Sequence, residues 1–308
     1  MATINVTDAQ SLNNAIQAAN VGDIVQVMND INLDGDGSGF SGSVTVPATS
    51  DITVTSNNAT IISSVLNQRH FIVNGTLTTS NITLDGGSGY MNNYPATVSS
   101  GAGGMRVLGG GKLYINTGTT IQNCYVPGPH LGQAVLIESE GYAELDGGII
   151  QYNTSLIRSG GGAVTATGPG ATFVLNSGII QYNTDLEGSG TAGVFIRSGA
   201  VGKMTGGTIS HNIGCVGAGV NLDSSTFSMT NGTISNNHAS CVGGGLRAGL
   251  PPTTVTITGG TITSNISDGP GGGIYLDPGT GSQNQATISN VLISGNTATQ
   301  GGGYFVGS

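Results

Sequence analysis

Asparagine returns along this chain at a nearly constant interval. Aligning GGIIQYN, SGIIQYN, GGTISHN, NGTISNN, GGTITSN and NVLISGN puts Asn153, Asn183, Asn212, Asn237, Asn265 and Asn296 in one register, with spacings of 30, 29, 25, 28 and 31 residues. TTIQN, ending at Asn123, reads as an earlier and more degenerate member. Intervals that drift while the local motif holds are the mark of stacked coils whose loops vary and whose framework does not.

Inside each unit the apolar residues alternate in short pieces, which predicts strands of three to five residues rather than helices. One series runs through Leu145, Leu175, Met204, Met229, Ile257 and Ile288; a second runs through Ile150, Ile180, Ile209, Ile234, Ile262 and Ile293. Both are expected to face inward as aliphatic stacks. After each Asn and a variable loop comes a glycine cluster, at 160–162, Gly217 with Gly219, 243–245, 271–273 and 301–303, and then a further apolar piece such as GVNL or GGIYL. Asn tolerates left-handed backbone and its amide both donates and accepts, so stacked Asn side chains can form a ladder at a turn. Glycine supplies positive φ where the chain bends sharply. Parallel strands joined by crossovers are right-handed in the great majority of cases. The fold class is therefore all-β, a right-handed parallel β-helix, with about ten coils making a rod on the order of 50 Å long.

Composition agrees with a narrow, regular interior. The chain has 308 residues, 55 of them glycine, no Trp, 37% hydrophobic residues and only 7% charged ones. A net charge of −9 with seven Lys plus Arg, scattered singly, provides no basic stripe for nucleic acid or an anionic membrane. No apolar run is long enough to insert in a bilayer. Three cysteines, Cys124, Cys215 and Cys241, cannot all pair within one chain; Cys215 and Cys241 fall at similar places in successive repeats, and both a disulfide and buried thiols fit that spacing.

Three regions follow within a single β-helix domain spanning 1–308: a cap and first strands over 1–30, irregular early coils over 31–114 and regular coils over 115–308. In DAQSLNNAIQAAN, Leu12, Ala15, Ile16 and Ala19 share a helical face and Asp8 or Thr7 can serve as N-cap, which predicts a short amphipathic helix sealing the first coil. No comparable cap follows Gly303. The opening residues lack a signal-peptide pattern and the chain stops within a repeat at GGGYFVGS. The expectation is a monomeric piece of a longer protein, with end-to-end contact through the uncapped C-terminal face.

The pairing of an Ile-x-x-Asn element with a following glycine-aliphatic element, in ISNNHASCVGGGL, ITSNISDGPGGGIYL and ISGNTATQGGGYF, resembles the paired short repeats of the chlamydial polymorphic membrane proteins and of adhesin-like β-helix proteins. LNNAIQAANVGDIVQV is similar to the N-terminal capping segment of such surface proteins. The resemblance covers about 115–308 well and implies a secreted or bacterial cell-surface adhesin or stalk that is not an enzyme and binds a host or microbial glycan or surface protein. Ile stands where the chlamydial repeats usually carry Phe, which places the chain with the broader adhesin-like group.

The rival class is a polysaccharide-active lyase or glycosidase, since β-helices carry those too. Asn183-Thr184-Asp185 matches one element of polygalacturonases, but the paired Asp, Gly-His-Gly and Arg-Ile-Lys elements that should follow are missing. Glu138, Glu140, Glu144 and Asp146 form the densest acidic group of the regular coils, and Arg106, Lys112 or Arg158 could stack near it. His70, His130, His211 and His238 are isolated, although His211 and His238 hold similar offsets in neighbouring coils. No cofactor is expected beyond a weak Ca²⁺ at Asp34, Asp36 and Ser38, whose alternating oxygens suit that ion while Thr45 stands where a helix-loop-helix calcium site has its glutamate. Candidate contact residues are Tyr90 and Tyr94 in a projecting loop, and Phe195, Tyr275 and Phe305 as an outward strip with Asn221 and Arg247 between. A threonine row at Thr208, Thr233 and Thr261 is interrupted by Ile149, Ile179 and Leu292, too short for a lattice match to ice.

Overall fold

The computed structural model describes residues 1–63, 68–87, 103–126, 132–155, 161–186, 190–277 and 284–307. Tyr90, Tyr94, His130 and Arg158 lie outside them. Among the described residues every strand pairing is parallel, and they wind as a β-solenoid with three sheets along its length. The longest, of 19 strands, holds both strands before the Asn turn; the six-stranded sheet follows that turn, and the ten-stranded sheet follows the glycine turn.

Both apolar series stack in register. Leu145, Leu175, Met204, Met229, Ile257 and Ile288 pair in that order, as do the isoleucines from Ile150 to Ile293. All but the last of each series are buried in one continuous core. A neighbouring inward column alternates large with small: Phe173, Gly202 and Phe227 are successive members. A Cβ on Gly202 would come within 2.9 Å of the Phe227 ring and of Ile196, so glycine there makes room for two aromatic rings in a core one side chain wide.

The Asn ladder is present and fully bonded. Nδ2 of Asn153 donates to Oδ1 of Asn183 at 2.9 Å, and the same contact recurs through Asn212, Asn237, Asn265 and Asn296 at 2.9–3.0 Å. Each Oδ1 also accepts the backbone N–H of the preceding ladder Asn, and each Nδ2 sends its second hydrogen to an isoleucine carbonyl. Every donor and acceptor of a buried amide is thereby used, which is what makes its burial tolerable.

Two details of the expected turn change. Gln122 pairs with Gln151, so the ladder position of the earlier coil is Cys124, whose N–H donates to Oδ1 of Asn153 at 2.9 Å, while Asn123 stands one place earlier. The left-handed residue is also not the ladder Asn but the one before it: Asn123, Tyr152, Tyr182, His211, Asn236, Ser264 and Gly295 all have φ between +52° and +63°. A ladder side chain must point inward, and the reversal that aims it there falls on its predecessor. Cys215 and Cys241 are joined as a disulfide across adjacent coils, with Cα atoms 4.8 Å apart, and Cys124 is a free buried thiol.

The two ends differ. A helix over Ala9–Ala18 buries Ala9, Leu12, Ala15 and Ile16 against the strands Thr3–Val6, Ile24–Val27 and Val44–Val46. Asp8 is its N-cap and forms a capping box with Ser11. The last coil, with strands Gln285–Ile288, Leu292–Ser294 and Tyr304–Val306, leaves Leu292, Tyr304 and Val306 exposed.

Candidate functional site

The left-handed position before each ladder Asn points its side chain outward at a corner of the coil. In three successive coils that position carries a ring. Tyr152 is 51% exposed and Tyr182 42%. Their rings lie 8° from parallel with centroids 5.4 Å apart, and His211 continues the row 5.0 Å from Tyr182. These are the separations of offset-stacked rings, which leave part of each face uncovered. The phenolic hydroxyls of Tyr152 and Tyr182 make no hydrogen bond among the described residues.

Directly beside the rings runs a row of amides. Nε2 of Gln181 donates to Oε1 of Gln151 at 3.1 Å, and Nε2 of Gln151 to Oε1 of Gln122 at 3.3 Å. Gln122 and Asn123 in turn donate to Oδ2 of Asp85, both at 2.9 Å, which anchors the row at its N-terminal end. On the other side of the rings, beyond the buried Asn, Ile213 and Ile266 are exposed. His238 pairs between them and bonds Asp268 at 2.9 Å. The corner thus offers aromatic faces, neutral amides and an aliphatic margin within a few coils. The QYN tripeptide that holds each tyrosine was the available signal, but the turn geometry that turns Tyr outward and Asn inward is not visible in it.

The other candidates are placed as follows. Phe195 does not form an exposed strip with Tyr275 and Phe305. It is 4% exposed, with the Arg197 guanidinium 5.3 Å from its ring centroid, and its column neighbours Thr165 and Asn221 are also buried. Strand alternation turns this column away from the core, and the glycine turns run close beside it: a Cβ on Gly217, at φ +53°, would sit 2.8 Å from the Cα of Asn221, and one on Gly271 2.6 Å from the Cβ of Tyr275. Tyr275 and Phe305 do stack, with centroids 5.7 Å apart, on the half-buried end of the same column. Arg247, between Asn221 and Tyr275, binds Oδ1 of Asn221 at 2.9 Å and Oδ1 of Asp223 at 3.1 Å.

Asp36 and Ser38 complete the start of the cap helix. Oδ2 of Asp36 accepts the Ala9 N–H at 2.7 Å and Oγ of Ser38 accepts that of Gln10 at 3.1 Å, while Asp8 takes that of Ser11 at 2.7 Å. Three N–H groups that a helix leaves unpaired at its start are satisfied here, two by the 34–38 loop. The hydrogen bond from Ser38, with those from the backbone, lowers the Asp36 pKa below the ordinary aspartate value. Asp34 donates its N–H to Oδ1 of Asn32. Among the described residues no three His, Cys, Asp or Glu gather in a group that could hold a metal ion.

Three carboxylates of the acidic group are engaged with neutral groups or a single arginine, and Glu140 stands at a left-handed turn with φ +64°. Glu138 receives both its contacts from Nη2 of Arg106, at 2.9 and 3.1 Å; Glu144 is bonded by Tyr142 and Asn176; Asp146 accepts from Ser177 at 2.7 Å. Of the Asn183-Thr184-Asp185 element, Asn183 belongs to the ladder and Asp185 is buried, accepting the Gly190 N–H at 2.6 Å. His211 and His238 do not form a pair on one column: one precedes the ladder Asn and the other follows it. Thr208, Thr233 and Thr261 align with Ile179 and Leu292 as read from the sequence.

A buried polar group in the early coils is structural in its bonding. Nδ1 of His70 accepts the Gly104 N–H at 2.8 Å, so the ring proton is on Nε2, 3.1 Å from the Asp85 carbonyl. Burial pushes this imidazole down to about 4 and the neighbouring Cys124 thiol up to about 12. A thiol held protonated is a poor nucleophile.

No family model, no curated protein and no solved structure matches this chain. No helix among the described residues is long and apolar enough to cross a membrane.

Proposed function

We propose that this solenoid is a noncatalytic binding module of an extracellular or bacterial cell surface, an adhesin or stalk segment that presents its Asn-turn corner to a glycan or protein partner. The observation that carries the reading is the exposed Tyr152–Tyr182–His211 row. Rows of amphipathic rings are costly to leave in water and are typical contact groups at interfaces. The Cys215–Cys241 disulfide favours an oxidising compartment. The likeness of the Ile-x-x-Asn and glycine elements to adhesin-like repeats points the same way, and carries with it the right-handed sense of the coil.

The test is incubation with a broad panel of polysaccharides and host-protein and glycan arrays. Binding without new reducing ends or unsaturated products supports the reading. Turnover of any polysaccharide would replace it with the polysaccharide-active enzyme.

A further inference from the structure

We infer that the Tyr152–Tyr182–His211 corner is the seat of an extended, neutral, unbranched polysaccharide lying parallel to the solenoid axis, about one sugar to each coil. This rests on reading that corner as a binding site, and names its ligand.

Backbone conformation supplies the first argument. At the same turn position other coils use Asn123, Asn236, Ser264 and Gly295, the small or amide residues that tolerate positive φ. Tyr152 and Tyr182 adopt φ +54° and +52°, where a bulky side chain is strained, and both remain about half exposed. Folding gains little from placing a tyrosine there. Strained, exposed aromatics held by a rigid turn fit a contact role.

Chemistry narrows the ligand. Offset rings present partial faces and free hydroxyls, which suit the C–H faces and hydroxyls of a pyranose. Within the amide row, Gln151 uses one N–H and one lone pair on its neighbours, so one N–H and one lone pair remain for an outside partner. A sugar hydroxyl both donates and accepts, and so does each such amide. Among the described residues, the rings, amides and exposed Ile213 of this corner include no lysine or arginine, so these groups offer a polyanion no permanent counter-charge. Ring centroids 5.4 and 5.0 Å apart repeat at about the interstrand spacing, which is comparable to the advance per residue of an extended β-linked glycan.

The experiment is calorimetric titration with cello-, xylo-, manno- and chito-oligosaccharides from dimer to hexamer, and with oligogalacturonate, against the wild type and the double variant Tyr152→Asn/Tyr182→Asn. Expected are affinity for at least one neutral series that rises to the trimer or tetramer and then levels off, and a loss of about tenfold or more in the variant. The variant should melt no lower than the wild type, which separates lost contact from lost fold. Unchanged sugar affinity in the variant overturns the inference and leaves the surface-binder reading standing. The same holds if only acidic oligosaccharides or array proteins bind. Binding to nothing on panel or arrays sinks both.

Discussion

Two adjacent residues of the Asn turn behave in opposite ways. The ladder position is the same amide in six coils, buried in the first five and bonded to its copies from coil to coil. The position before it is Tyr, Tyr, His, Asn, Ser and Gly in those coils, and points into solvent. The first must match its copies, because each amide completes the bonds of its neighbours. The second is tied only by a backbone angle that Asn and Gly adopt readily and Tyr adopts under strain. Uniformity in this solenoid therefore marks framework, and departure from it falls at an exposed, strained position, the corner we propose for contact with a partner.

Breaking the ladder tests the first half. Asn212→Ala removes the acceptor of the Asn183 N–H and Nδ2, and the donor to the Ile180 carbonyl. With three polar groups left unpaired in a buried setting, the loss should be about 3–5 kcal/mol, read from urea unfolding. A loss below about 1 kcal/mol would show that water replaces the amide and that the ladder is not a framework element.

The histidines repeat the contrast, His70 buried and His211 on the surface row. Burial holds His70 neutral in the folded chain down to about pH 4, whereas an unfolded chain takes up the proton near pH 6.5. Stability is therefore complete above pH 6.5 and falls as pH drops from there toward 4, by about 3 kcal/mol. Urea midpoints compared between wild type and His70→Asn across that range should diverge at high pH and converge at low pH. Asp8 and Asp36, with pKa values lowered by hydrogen bonds, lose their contributions only below the ordinary aspartate value, so the two windows are distinct.

Replacing the strained ring should do the reverse of replacing the ladder amide. Tyr182→Asn is expected to stabilise the fold by up to about 1 kcal/mol, since Asn accepts positive φ more readily. A clear fall in melting temperature would mean that the ring row is part of the framework. Smallest of all, Asp268→Asn removes a solvent-exposed contact to His238 and should change stability by less than about 0.5 kcal/mol at neutral pH.

Much of the framework could be read directly. Ile150 to Ile293 and Leu145 to Ile288 recur at fixed offsets from the same Asn, so coil spacing, strand period and inward face followed from one alignment. The cap helix was equally legible, since Asp8, Leu12 and Ile16 carry a start signal and an apolar face within ten residues. The candidate site was less so. Phe195 and Tyr275 occupy the same outward column, and strand alternation does not show that the first is buried and the second only half-buried. Asp36 and Ser38 read as a calcium pattern because their oxygens alternate. Their bonds to Ala9 and Gln10, from which the sequence separates them by 27 and 28 residues, could not be seen.

By itself the sequence determined the local period: which residues face in, where the turns fall and that the coils must stack to bury what they carry. Register in the degenerate early coil, and the direction in which each turn side chain points, were decided only in the tertiary structure, because a shared offset from the Asn shows neither a one-residue slip nor the sign of φ. That register put Cys124 rather than Asn123 in line with the ladder and joined Cys215 to Cys241. The fold also turned Tyr152, Tyr182 and His211, which the alignment places at one position, outward as a stacked row.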